Sequence, residues 1–84
     1  MNNIQYDAAK CHFSLTQNGH EVGYLTYRLL GSTWEINHTV VSPKHQGQGL
    51  ARQLVEAAIA EAKTQNIGLQ ASCSYADKIL AEHS

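Results

Sequence analysis

Polar and apolar residues alternate along much of the first half of the chain. From Cys11 to Thr16, Cys11, Phe13 and Leu15 fall on one side and His12, Ser14 and Thr16 on the other. That is the period of a strand with one buried face. Gln17-Asn18-Gly19-His20 follows, and Asn-Gly is a strong signal of a two-residue hairpin turn. Val22 to Leu30 is rich in β-branched and aromatic residues, and Gly31-Ser32 reads as the next turn. Trp34 to Val41 alternates again, which predicts Trp34, Ile36, His38 and Val40 on one face. These strands and short turns predict an antiparallel meander. The residues before Cys11 are assigned no element.

Pro43 ends the last of these strands, because proline removes a ladder donor. The period then changes. Leu50, Ala51, Leu54, Val55, Ala58, Ile59 and Ala62 recur at helical spacing, with Arg52, Gln53, Glu56 and Lys63 opposite. A helix over 50–63 is predicted, stopping near Asn66-Ile67-Gly68. Leu69 to Cys73 suits a short strand. Ser74 is expected to cap a final helix from Tyr75 to Glu82, with Asp77 completing a capping-box variant. The sum is one α+β domain over 1–84: a mostly antiparallel sheet, one long helix and a short C-terminal helix.

Between Val41 and Ala51 a strand passes through a glycine turn into an amphipathic helix. Such a junction aims unpaired backbone N–H groups and the positive end of the helix dipole at one point, which suits phosphate. Gly47 and Gly49 lack a Cβ, so a pyrophosphate can come close to the main chain. A P-loop is excluded, since no lysine followed by Ser or Thr stands in the turn. A Rossmann fingerprint is excluded too, because Arg52 occupies its third glycine position and too little chain follows for repeated βαβ units.

Composition narrows the partners. Six basic and seven acidic residues nearly cancel, leaving no electrostatic footprint for nucleic acid or an anionic membrane. No apolar run approaches the roughly 20 residues that span a bilayer. Met1-Asn2-Asn3-Ile4-Gln5 does not open as a signal peptide does, and the two cysteines lack CxxC spacing, so a reduced cytoplasmic setting is expected. The five histidines are scattered, and no metal site is expected. With 84 residues the core is thin, so a cofactor or a partner copy would add stability; a monomer or weak homodimer is expected.

The turn resembles the acyl-coenzyme A signature of the GNAT N-acetyltransferase superfamily, [RQ]xxGx[GA]. Gln46, Gly49 and Ala51 fit it, after a Val41-Ser42-Pro43 lead-in. The whole chain is similar to the very small members, the YjdJ-type N-acetyltransferase domain, through His38-Thr39-Val40-Val41, Cys73-Ser74-Tyr75 and His83. Members often carry an acidic residue where Val40 stands, so no catalytic role passes to that position. The resemblance implies a shortened GNAT fold that binds acetyl-coenzyme A through Val41, Gln46, Gly47, Gln48, Gly49, Leu50 and Ala51.

Three residues are candidates for catalysis. Cys73 lies near a helix N-terminus, which favours the thiolate; it is a nucleophile, part of the thioester pocket or a packing residue. His38 is a general base or a core histidine. Tyr75 is a proton donor to the leaving thiolate or a packing residue beside the cap. Lys44, His45 and Lys78 are phosphate contacts or solvated surface groups. Two functions stand at this point: an N-acetyltransferase that moves an acetyl group directly to a small amine or exposed lysine, and a non-catalytic acyl-coenzyme A binding module.

Overall fold

The computed structural model describes residues 2–82, so His83, one of the residues that carried the resemblance, lies outside the described residues. Strands β1 (Asn2–Asp7), β2 (His12–Gln17), β3 (His20–Leu30) and β4 (Thr33–Val41) form the meander. Helix α1 (Leu50–Thr64), strand β5 (Gly68–Ala71) and helix α2 (Ser74–Glu82) complete the chain. The sheet order is β1-β2-β3-β4-β5, antiparallel except for the parallel β4–β5 pair that the α1 crossover permits. This is the expected α+β arrangement.

The Asn18-Gly19 turn forms as its residues require: both have positive φ, 53° and 81°, matching the twist of the flanking strands. Strand β1 was not foreseen. It pairs with β2 in register Ile4↔Leu15 and Tyr6↔Phe13, and lays Ile4 and Tyr6 against the core. Cys11 packs against the core, as expected, but lies just outside β2. It precedes the strand in a left-handed turn at φ 52° and is half-buried.

Phe13, Leu15, Leu25, Tyr27, Trp34 and Ile36 project from one sheet face into a core closed by Leu50, Leu54, Val55, Ala58 and Ile59 of α1 and by Ala76 and Ile79 of α2. Leu54 is fully buried, and truncation to alanine there costs about 2–5 kcal/mol. Gly23 lies under this helix; an added Cβ would meet the Val40 carbonyl at 2.9 Å and Leu54 Cδ1 at 3.4 Å. Arg52 ties the helices together, reaching Glu56 at 3.2 Å and Glu82 at 2.6 Å.

One irregularity positions the site. The register of β3 against β4 slips between Thr26↔His38 and Tyr27↔Ile36, so Asn37 is an extra residue in β4. Up to Ile36 the even-numbered residues of β4 face the core. Beyond the bulge the odd-numbered ones do: Val41 packs on the core, whereas His38 and Val40 are exposed. The shared face predicted for Trp34, Ile36, His38 and Val40 is therefore split in two.

Candidate functional site

Strand β4 has a neighbour on its β5 side only over Thr33–Ile36. There the chain leaves the sheet: the Ser72 and Cys73 N–H groups both donate to the Ile36 carbonyl, at 3.0 and 3.3 Å, and α2 begins. The end of β4 is left with an open edge. The Ser42 N–H bonds the Val22 carbonyl on β3 at 2.7 Å. By alternation along the strand, Val40 and His38 also bond toward β3, and Thr39 and Val41 turn their N–H and C=O groups to the open edge.

Helix α1 starts against this edge. Pro43–His45 makes one 3-10 turn, and Gly47 and Gly49 take positive φ of 86° and 74°, which glycine adopts without steric cost. Gly49 is the N-cap residue and supplies no side-chain cap; the first helical bond runs from the Gln53 N–H to the Gly49 carbonyl at 3.2 Å. The N–H groups of Leu50, Ala51 and Arg52 therefore have no acceptor within the helix. A Cβ at Gly47 or Gly49 would meet nothing within 4 Å, so both face open space. The Gln46 amide donates back to the Val41 carbonyl at 3.4 Å and closes the loop.

These parts enclose a cavity of about 430 Å³. Thr39 and Val41 line it from β4, and His45, Gln46, Gly47 and Gly49 from the turn. Leu50 and Ala51 contribute the helix start, and Tyr75 the side facing α2. The wall combines unpaired main-chain donors, apolar surface, the Thr39 side chain, one imidazole and one phenol, and contains no carboxylate. A larger hollow, about 570 Å³, lies around Gln5, Asp7, Lys10, His12 and Glu21. It has mixed charge and no α-helix terminus.

Six of the residues assigned to the cofactor from sequence line the first cavity: Val41, Gln46, Gly47, Gly49, Leu50 and Ala51. Gln48 does not; its side-chain Oε1 accepts from the Gln17 side-chain amide at 3.4 Å, on the β2–β3 hairpin. Of the catalytic candidates, Tyr75 is in the wall and 41% exposed. His38 lies on the other sheet face, beyond the bulge. Cys73, half-buried against the core, is outside the wall. Cys73, not Ser74, takes the cap position of α2: its carbonyl accepts the Asp77 N–H at 2.9 Å. Strand β5 accordingly ends at Ala71, before the predicted limit. Thr39 was not singled out from sequence, since its inward direction depends on the bulge.

A sequence profile of the family described as GCN5-related N-acetyl-transferase matches residues 12–84. The chain is 28% identical over 82 residues to Protein NATD1 of Xenopus tropicalis, covering 95% of this chain and 75% of that one. The solution structure of a GCN5-like protein from Staphylococcus aureus superposes with a TM-score of 0.74 at 28% identity, covering 96% and 79% of the two chains. The ribosomal-protein-S18-alanine N-acetyltransferase of Escherichia coli shares the fold, with a TM-score of 0.75 at 24% identity over 94% of this chain and 54% of its own.

Proposed function

The chain belongs to the GCN5-related N-acetyltransferase family, and on that premise we propose that it transfers an acetyl group from acetyl-coenzyme A to a small amine or an exposed lysine, by direct attack of the amine on the thioester. One observation carries the reading: the uncapped start of α1 and the open edge of β4 face the same cavity.

The residues present fit this cosubstrate. The Leu50 and Ala51 N–H groups suit the pyrophosphate, and Gly47 and Gly49 leave it room. The edge of β4 offers main-chain partners to the amide arm. Val41 N–H is the donor for the thioester carbonyl, where negative charge develops as the amine attacks. As the new C–N bond forms the C–S bond breaks, and the departing sulfur takes the proton of the Tyr75 hydroxyl. Tyr75 regains a proton from water.

With no carboxylate in the wall, the amine arrives as its free base and loses its surplus proton to water. The rate is therefore expected to rise with pH as the acceptor deprotonates. Neither His38 nor Cys73 is needed for these steps.

The test is incubation with acetyl-coenzyme A and a panel of small amines and lysine peptides, read by the mass gain of one acetyl group and by release of free thiol. Binding of coenzyme A with no acetylated acceptor and no thiol release would instead support the binding-module reading.

A further inference from the structure

Among the described residues, two buried side-chain nitrogen or oxygen atoms lack a hydrogen-bond partner: Thr39 Oγ1 and His45 Nδ1. Both residues line the cavity between β4, α1 and α2. Unpaired buried polar atoms are unfavourable and rare in native proteins. The sheet pairs comparable groups elsewhere: Thr26 bonds Asn37, and the hydroxyls of Tyr6 and Tyr27 bond each other, both at 2.7 Å. The two exceptions coincide with the proposed site.

Thr39 is the more informative of the two. The Asn37 bulge turns its side chain to the helix side of the sheet, and its own N–H and C=O point to the open edge of β4. Its side chain has three staggered χ1 states, which differ in where they place hydroxyl and methyl. A hydroxyl both donates and accepts, which suits an amide. Valine would fill the same volume and leave nothing unpaired, so packing alone gives no reason for a hydroxyl here.

We propose that Thr39 is a cofactor-binding residue whose hydroxyl hydrogen-bonds an amide of the coenzyme A arm, and so sets how far the acyl end reaches toward Val41 and Tyr75. The assignment rests on the coenzyme A reading of this cavity.

The experiment compares wild type, Thr39→Val and Thr39→Ser by ligand-free thermal melts and by calorimetric titration with coenzyme A. The valine variant is expected to melt roughly 4–8 °C higher without ligand, because an unpaired buried hydroxyl is gone. It is expected to bind coenzyme A about tenfold more weakly, because a bond formed only in the complex is gone. The serine variant keeps the hydroxyl and is expected to stay within about threefold of wild-type affinity. A purely structural threonine would not raise the melting temperature while lowering affinity.

If wild type binds coenzyme A and the valine variant binds it equally well, the Thr39 assignment is wrong and the cofactor reading stands. If wild type does not bind, both fall. A valine variant that fails to fold also overturns the assignment, since the fold itself would then need the hydroxyl.

Discussion

Thr26 Oγ1 donates to Asn37 Oδ1 at 2.7 Å, fastening the extra residue of β4 to the strand beside it. That bulge puts Thr39 and Val41, rather than His38 and Val40, on the helix side of the sheet. Thr26→Val removes the bond, and a stability loss of about 0.5–1.5 kcal/mol is expected in urea unfolding. Coenzyme A affinity should fall with it, because the bulge presents the cavity end of β4. A destabilised variant with unchanged affinity would break the link between bulge and site.

Tyr27 gives a pH-dependent prediction. Burial, followed by the hydrogen bond to Tyr6, holds its phenol well above the usual tyrosine range, and nearby Tyr6 and Cys11 push the same way. A raised folded-state value means this stabilisation is full below about pH 10, where the unfolded chain begins to ionise, and declines above it. Urea midpoints from pH 8 to 11 should drop more steeply above pH 10 for wild type than for Tyr27→Phe. Parallel curves would show that Tyr27 does not carry the alkaline loss.

The β2–β3 hairpin and α1 follow from local pattern: Asn18-Gly19 suits positive φ at both positions, and α1 runs one residue past its predicted end. The glycine turn was also readable, because Gly47 and Gly49 adopt positive φ without steric cost. Strand β1 was not, since Ile4 and Tyr6 alone make too short an alternation to stand out. The largest departure comes from Asn37. A bulge changes the phase of every later side chain without altering the sequence pattern, so His38 was predicted inward and Thr39, named only within the resemblance, was given no site role. Cys73 was expected just ahead of the cap and proved to be the cap itself.

Tyr75 and Cys73 separate proton donation from nucleophilic catalysis. Tyr75→Phe is expected to lower kcat on the order of a hundredfold with coenzyme A affinity nearly unchanged. Cys73→Ser should keep kcat within about threefold, since direct transfer needs no protein nucleophile. A covalent acyl-enzyme detected by mass on Cys73, or loss of activity in the serine variant while it remains folded, would restore Cys73 to the mechanism.

Nucleotide choice follows from what the turn lacks. Coenzyme A should raise the melting temperature, and ATP or NAD at equal concentration should do so far less. No lysine followed by Ser or Thr awaits a triphosphate, and Arg52 stands where a dinucleotide site has its third glycine. A larger shift with either competitor would reverse this order.

Calorimetric titration of coenzyme A into wild type and Gly49→Asn tests the cofactor site most directly. Gly49 has φ 74°, where valine would be strained, but asparagine tolerates that backbone and places an amide where a Cβ meets nothing within 4 Å. Saturable one-site binding to wild type, weakened about tenfold or more in a folded Gly49→Asn, is expected if the pyrophosphate lies against the start of α1. Equal affinity in the two proteins, or no binding to wild type, would contradict it.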